Sequence, residues 1–355
     1  MHLLTLTEPV DCGPNGTYPA GRVLVENSNA AAMLLMAPPG TAQMEPWHPK
    51  LLPDHPKCIL VIRPGAFGDL IQLTPALRAL RRKYPEASLS VAVNPKFRDV
   101  LLGLPYIDGL VPYPIPVERL KEFDTIIPLE FSVEHNPAAN DMTIVDAFAA
   151  RLGVEVPDSD SKADFILTPE EKAWAIEKYP RDKRRRVMVQ ATASDACRTY
   201  HMERLKQLMG LLLLDEWEVM LIGEPGSIWI GPSDGLYNLT ADNLTIRQSA
   251  AVLTTCDCAF GPDSMILHLA GALGVPALGV FAAFHWKHRI TNHRSVEAIQ
   301  GHGECSPCHF HAWGGRVWPK DMSCQKAGYC TVLAEIEPSR IATKLARLVR
   351  PEIVI

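Results

Sequence analysis

Cys58-Ile59-Leu60-Val61-Ile62-Arg63-Pro64-Gly65-Ala66-Phe67-Gly68-Asp69 decides the fold. An apolar run of strand length enters a glycine-bearing turn. A stretch with Leu70, Leu73, Leu77 and Leu80 at helical spacing follows. Arg78, Arg81, Arg82 and Lys83 gather near its end, where cations suit the helix dipole. A second opening of this kind stands far downstream. Ala251-Val252-Leu253 leads through Cys256 to Phe260, then to Gly261-Pro262-Asp263-Ser264 and another helical stretch. Each opening puts an acidic residue where a strand yields to a helix, and open α/β sheets bind ligands at that edge. Two openings predict two α/β domains facing one cleft, an arrangement suited to a two-substrate enzyme.

The apolar rhythm fills in both domains. In the first, expected over 58–168, strands are predicted at 58–63, 89–93, 108–112 and 124–128, with helices near 95–102 and over 140–152. A helix over 170–179 precedes Pro180. In the second, expected over 185–335, strands are predicted at 187–191, 217–222, 256–260 and 277–281, with helices over 200–213, 245–254 and 264–273. A closing helix over 338–350 is expected to pack back on the first domain. Residues 1–57 read as a small β appendage and connector, with short strands over 21–27 and 32–36 and a loop over 37–56. The fold class expected is α/β, with two Rossmann-like domains.

The 355 residues suffice for two cores of ordinary size. A net charge of -5 makes no general case for a nucleic-acid binder, whose affinity rests on basic surface. The basic run Arg181 to Arg186 stands just before a strand and reads as a solvated boundary. Residues 1–20 show no basic segment followed by a long apolar one, so a cytoplasmic protein is expected, with contact at the inner membrane face compatible with that. Met265 to Phe284 carries no Asp, Glu, Lys or Arg and is long enough to span a bilayer. Its His268, Pro276 and glycines read instead as helix, turn and strand, so no transmembrane segment is expected.

Gly65 and Gly68 suit a phosphate or acceptor loop, or a tight turn with close helix packing. The dinucleotide fingerprint is incomplete, because Val91-Ala92-Val93-Asn94 brings no acid to a ribose diol. Asp69 is either a helix cap or a general base that accepts a proton from an attacking alcohol. Thr192, Ser194 and Arg198 offer hydroxyls and a guanidinium to phosphate oxygens. The helix opening at Asp263-Ser264 exposes N–H donors, with Asp263 capping them or bonding a ribose. His268 lies four residues beyond Ser264, as a site residue or a packing histidine. Glu224, at a strand end, either bonds ribose hydroxyls or caps a turn.

Ile62-Arg63-Pro64-Gly65-Ala66-Phe67-Gly68-Asp69-Leu70-Ile71-Gln72-Leu73-Thr74-Pro75 resembles the N-terminal signature of the family 9 glycosyltransferases, the ADP-heptose:lipopolysaccharide heptosyltransferases and their relatives. Gly261-Pro262-Asp263-Ser264-Met265-Ile266-Leu267-His268-Leu269-Ala270-Gly271-Ala272-Leu273-Gly274-Val275-Pro276 resembles the later one. The resemblance implies a GT-B fold, an N-terminal acceptor domain, a C-terminal donor domain and metal-independent, inverting transfer. It implies that Asp69 is the base, that Arg198 holds donor phosphate and that Glu224 is the acidic residue after the donor-domain strand. The family's Asp-Thr-Gly-x-x-His run falls on Asp263, Ser264, Met265 and His268. Ser264 keeps a hydroxyl in place of threonine, and Arg198 keeps the charge of the commoner lysine. Met265 replaces glycine beside the diphosphate. The partners implied are a nucleotide-activated sugar, ADP-heptose foremost, and a hydroxyl acceptor on lipopolysaccharide core or protein. Two other readings stand beside transfer: an inactive binding or structural protein, favoured by Met265, and a sugar-nucleotide epimerase or hydrolase.

Cys305-x2-Cys308 and Cys324-x5-Cys330 cluster near the end of the chain. Cys305, Cys308, Cys324 and Cys330 can form a tetrathiolate site for structural Zn or Fe, with His309 or His311 in place of one thiol. Four reduced thiols, or two disulfides, are the alternatives. The cluster resembles the iron-bearing cysteine finger of the bacterial autotransporter heptosyltransferases. A site filled by four protein ligands leaves no position for catalysis. Cys12, Cys58, Cys197, Cys256 and Cys258 read as scattered or core residues.

Overall fold

The computed structural model describes residues 1–11, 17–27, 30, 33, 36–47, 55–130, 132–133, 137–228, 230–309 and 323–349. They form two compact units. The first covers Met1–Ala139 and Val145–Val156, and the second Asn140–Ile144 and the chain from Pro157 onward.

In the first unit, β1 (His2–Leu6), the hairpin β2 (Val10–Asp11) and β3 (Thr17–Tyr18), β4 (Gly21–Val25) and β5 (Ala42–Pro46) precede the α/β rhythm. There β6 (Cys58–Ile62) leads to α1 (Phe67–Lys83) and β7 (Ser88–Val93). A 3-10 helix over Pro95–Leu101, β8 (Gly109–Pro112), β9 (Ile115–Pro116), β10 (Thr125–Pro128) and α2 (Ile144–Leu152) follow. The parallel sheet runs β10-β6-β7-β8, so chain order reverses beside β6. The antiparallel sheet runs β5-β1-β4-β9. β9 comes from the α/β part of the chain, and Leu4, Leu6, Val23 and Leu24 share one core with Leu60, Ile62, Ala92 and Val111. The N-terminal segment is therefore built into the first unit rather than appended to it. Two local expectations fail here. Ala30, Met33 and Met36 are helical where a strand over 32–36 was expected, and β5 lies inside the expected loop.

The second unit opens with α3 (Pro169–Lys178), whose Thr168 hydroxyl accepts from Glu171 N while the Glu171 carboxylate accepts from Thr168 N. Then come β11 (Arg185–Gln190), α4 (Met202–Leu214), β12 (Trp217–Ile222), β13 (Leu236–Asn238), α5 (Ile246–Leu253) and β14 (Cys258–Pro262). α6 (Met265–Leu273), β15 (Ala277–Phe281), the single turn α7 (Lys287–Ile290) and β16 (Val296–Gln300) complete the sheet. α8 (Ser323–Ala327), α9 (Thr331–Ala334) and α10 (Pro338–Leu348) close the described chain. All neighbours are parallel in the order β13-β12-β11-β14-β15-β16, the doubly wound order that reverses between β11 and β14.

β14 starts two residues later than expected, because backbone bonds from Thr254 and Cys256 back into α5 close that helix first. Pairing then carries Gly261 and Pro262 into the strand, opposite Gly279 and Val280. The apolar run from Met265 to Phe284 resolves into α6, a turn and β15. Among the described residues no helix is long and apolar enough to cross a membrane. α10 buries Ile341 and Leu345 in the second unit's core, against α4.

Of the basic run Arg181 to Arg186, Arg181 and Lys183 are exposed as expected, but Arg186, the second residue of β11, is a core residue. Arg186 is fully buried, with Nε 2.9 Å from Glu218 Oε2. Its guanidinium also donates to Tyr179 O, Pro180 O and Thr255 Oγ1, and Tyr237 Oη donates to the other Glu218 oxygen. Every hydrogen bond of this pair thus crosses between elements. Removing one partner strands a buried charge, at a cost of roughly 3–5 kcal/mol. Arg186→Met is expected to lower stability by about that amount in urea denaturation followed by Trp217 fluorescence. Arg186→Met combined with Glu218→Leu is expected to regain part of the loss. A single variant within about 1 kcal/mol of wild type would contradict the assignment.

Candidate functional site

Two ligand-binding edges follow from the two sheets. In the first unit the chain leaves β6 at the reversal point and enters α1 through Arg63-Pro64-Gly65-Ala66. Gly65 is packed against Phe97, since a Cβ there would lie 2.4 Å from the ring. Phe67 meets the same ring edge-on at 4.8 Å. Gly68 is the second residue of α1. Asp69, the third, accepts from Ala66 N at 3.2 Å and from Arg63 Nη2 at 2.7 Å, both on Oδ2. Arg63 is buried and lies 5.5 Å from the Phe148 ring centre. The carboxylate itself stays about a quarter exposed, at 26%. Asp69 thus caps α1 and presents a fixed, accessible carboxylate at once.

In the second unit, the loop after β11 and the start of α6 meet at the reversal between β11 and β14. Gln190, which sequence reading missed, joins them. Its Nε2 donates to Thr192 O and its Oε1 accepts from Ile266 N. Thr192 contributes backbone here. Thr199 Oγ1 braces the loop by accepting from Ala193 N and donating to Asp195 O. Arg198 then reaches across: Nη2 donates to Ser194 Oγ at 2.6 Å and to Asp195 Oδ2 at 3.2 Å, and Nη1 to Asp263 O at 3.1 Å. Burial opposes the Arg198 charge, but Asp263 and Asp195 outweigh it and hold its pKa above the ordinary value.

The α6 N-terminus is less open than expected. Ile266 N goes to Gln190, Leu267 N to Ser264 O, and Ser264 Oγ turns back to Pro262 O. Met265 is the half-buried first residue of the helix. Asp263 is buried, and its carboxylate lies 3.8 Å from Arg289 Nε. Arg289 was also missed. It stacks on Phe284 with its guanidinium carbon 3.7 Å from the ring centre. The signal available in the sequence was the basic run Lys287-His288-Arg289, soon after a buried strand. Three neighbouring strands, β11, β14 and β15, therefore deliver Arg198, Asp263 and Arg289 to one edge. Glu224 stands exposed beyond β12, where its carbonyl closes a turn with Ser227 N.

His268 belongs to this layer. It is buried on α6, and its Nδ1 lies 3.3 Å from Nε2 of buried His293. His293 packs over Gly271, where a Cβ would come within 2.2 Å of the imidazole. Burial first, then Arg289 and Arg198, push His268 down to about 3. Burial, His268 and Lys162 hold His293 well below the ordinary range. The pair is therefore neutral, and one ring donates to the other.

The predicted thiol set is not assembled as expected. Cys305 is exposed, Cys308 half-buried, and Cys324 and Cys330 buried. Cys324 is in hydrogen-bond contact with Cys330, whereas Cys308 contacts Cys197. Among the described residues no three Cys, His, Asp or Glu side chains are gathered closely enough to hold an ion. His311 lies outside the described residues.

The neutral histidines set a pH dependence. Their folded pKa values lie below the unfolded 6.5, so the unfolded chain takes up protons first and stability falls as pH drops below about 6.5. Each histidine contributes up to about 1.4 kcal/mol per pH unit there. Between pH 6.5 and 5, where carboxylates stay ionised, unfolding midpoints are expected to fall, and to fall less steeply in His268→Gln/His293→Gln. Parallel pH profiles for the two proteins would refute the pair.

Comparison with known proteins accords with this geometry. The family model for glycosyltransferase family 9 (heptosyltransferase) matches residues 129–311. No curated protein matches the sequence significantly. Among solved structures, the ADP-heptose lipopolysaccharide heptosyltransferase II of E. coli is similar with a TM-score of 0.60 at 16% identity, over 82% of this chain and 98% of that one. A family 9 glycosyltransferase from Veillonella parvula reaches 0.63 at 14% identity, over 82% and 97%. The dodecameric iron-containing heptosyltransferase TibC of enterotoxigenic E. coli, in complex with ADP-D-β-D-heptose, reaches 0.61 at 12% identity, over 98% and 90%. These structures share the GT-B fold, and the chain belongs to glycosyltransferase family 9, the heptosyltransferases.

Proposed function

We propose that the protein transfers heptose from ADP-heptose to a hydroxyl acceptor, with inversion at the anomeric carbon and without a catalytic metal. The observation that carries this reading is the Arg198 clamp at the reversal point of the second sheet. A guanidinium held by Ser194, Asp195 and the Asp263 carbonyl is rigid and mostly buried. Such a group binds a diphosphate strongly, because its charge is already positioned and partly desolvated. Arg289 adds a second cation beside Asp263, and neutral His268 adds hydrogen bonding without further charge. Glu224 is assigned to the ribose or base, Thr192 and Ser264 to the rim of the nucleotide site, and Met265 to the sugar side of the diphosphate. TibC, bound to ADP-D-β-D-heptose, and heptosyltransferase II support heptose as the sugar.

Asp69 is assigned as the base. The acceptor hydroxyl gives its proton to the carboxylate as its oxygen bonds to the anomeric carbon, and the bond from that carbon to the diphosphate breaks. Negative charge then grows on ADP, where fixed cations lower the barrier. The Gly65–Gly68 loop serves the acceptor side. The acceptor is a hydroxyl on lipopolysaccharide core or on protein, and a panel of both with ADP-heptose, read by mass spectrometry, distinguishes them.

Two variants test the assignment. Arg198→Ala is expected to weaken ADP binding in calorimetry by roughly 1.5–3 kcal/mol, the worth of charge-assisted bonds. Asp69→Asn keeps the shape and is expected to leave ADP affinity intact while turnover falls about 10²–10⁴-fold. A folded Asp69→Asn protein with near-normal transfer would remove Asp69 from the chemistry, and unchanged ADP affinity in Arg198→Ala would move the diphosphate elsewhere.

A further inference from the structure

The edge that carries Arg198, Asp263 and Arg289 extends past β15. That strand ends at Phe281, and the residues from there to Trp286 are braced by β16 and the segment after it. Gly301 N donates to Phe281 O at 2.7 Å, Ser306 Oγ to Ala282 O at 2.9 Å and His309 N to Ala283 O at 2.8 Å. Gln300, the last residue of β16, accepts from Trp286 N on Oε1 and donates from Nε2 to Phe281 O, both at 3.2 Å. Trp286 then opens α7, where its carbonyl accepts from Arg289 N at 2.9 Å and from Ile290 N at 3.0 Å. Arg289 turns inward to Phe284 and Asp263, whereas Trp286 stays half-buried. The half-buried His285 ring lies 5.9 Å from the indole and is tilted from it by only 31°. The exposed Lys287 ammonium is 6.0 Å from the indole centre, at the outer limit of cation–π contact.

A half-buried aromatic side chain needs no explanation by itself. Trp286 differs in having a fixed backbone on the ligand-binding edge, in the same helical turn as Arg289. Residues three apart in such a turn share a face, with Cβ atoms about 5–6 Å apart. In a nucleotide-diphosphate sugar the sugar is bonded to the second phosphate, so it begins where the cations that hold the diphosphate end. We propose that Trp286 is the platform on which the donor's sugar ring stacks, and that it sets specificity for the sugar rather than for ADP. The inference rests on the ADP-heptose reading above and names the residue that reads the sugar. The C–H bonds on one face of a pyranose carry slight positive charge, and the indole face is the negative part of its quadrupole. His285 supplies polarity at the rim. Its Nδ1 accepts from Lys287 N at 3.2 Å, so the neutral ring carries its proton on Nε2 and can donate it to a hydroxyl oxygen. Burial first, then His288, Lys287 and His302, lower the pKa of His285 and favour that neutral form. A flat apolar surface with few polar groups beside it fixes the orientation of a small ligand.

The test separates the sugar from the nucleotide. Calorimetry of the full chain with ADP and with ADP-heptose, in the absence of acceptor, gives a ratio of dissociation constants for each protein. Trp286→Leu keeps apolar bulk but has no aromatic face. It is expected to weaken ADP-heptose binding roughly 3- to 10-fold relative to ADP, the worth of an aromatic stacking contact. ADP binding alone is expected to stay unchanged. Trp286→Phe keeps a π-face and is expected to retain most of the wild-type ratio. An unchanged ratio in folded Trp286→Leu would overturn the proposal, as would an equal loss of both ligands, which is what a merely structural indole predicts. A Trp286→Phe protein that loses as much as Trp286→Leu would overturn it too. Should Trp286→Leu fail to fold, fluorescence decides: the change in tryptophan emission that ADP-heptose causes beyond ADP is expected in wild type and lost in Trp286→Phe. Its full persistence in Trp286→Phe would place the sugar elsewhere. A wild-type protein that binds neither ADP nor ADP-heptose would remove the donor reading and the platform together. One that binds both with a ratio indifferent to Trp286 removes the platform alone.

Discussion

The second unit depends on strand β11 being pinned at both ends. At its start, buried Arg186 locks to Glu218 on β12 and to the carbonyls of Tyr179 and Pro180. At its finish, Gln190 locks the outgoing loop to the first turn of α6. β11 is also the strand at which chain order reverses. Arg186 makes the foot of the sheet expensive to disturb, because a buried guanidinium tolerates no loss of partners. Gln190 converts that rigidity into a defined separation between two loops. The clamp at Arg198 inherits both constraints, which is why a long, flexible side chain can hold one geometry there.

The charges at that edge follow an alternating logic. Arg198 and Arg289 flank buried Asp263, so the carboxylate allows two cations to coexist in a region that would otherwise repel them. The diphosphate proposed for this edge would add negative charge to a layer that already holds positive charge in place. The histidine pair behind it must not add more. Burial, together with the two arginines, keeps His268 neutral, and the His293 ring over Gly271 fixes which face it presents. Gly271 thus has a packing reason unrelated to helix propensity: it makes room for an imidazole.

Much of this was legible in the residues, and unevenly so. Long apolar runs such as Trp217–Ile222 and Ala277–Phe281 stood where expected, because strands buried on both faces have no polar alternation to mislead. The short edge strands β13 and β16 were missed, since their half-buried pattern carries little periodic signal. The helical register of Ala30, Met33 and Met36 was misread as strand because so short a segment fits either period. The positions of Asp69, Ser194, Arg198 and Asp263 just beyond strand ends were legible, and their roles are those proposed above. Gln190 and Arg289 were not, because nothing local marks a side chain whose partner lies on another strand. Arg186 was misread for the same reason: Glu218, which makes it a core residue, is distant in sequence.

Asp69 shows where residue-level reading stops. An acid at the third position of a helix, accepting from the N–H at the cap, is sufficiently explained by stability. The same position, after two glycines at the reversal point of a parallel sheet, is also where a ligand-facing carboxylate belongs. Sequence pattern cannot separate these, since both need the same residue in the same place. Arg63 supports the second reading, the one proposed above. A cap bond is complete without a guanidinium, yet Arg63 is buried at the end of β6, beside the Phe148 ring, and donates to that very carboxylate. Burying an arginine is costly, and the α1 N-terminus does not require it. The ion pair suits the proposed role of a carboxylate that keeps one orientation while staying accessible, because it removes the rotameric freedom that an exposed aspartate would otherwise keep.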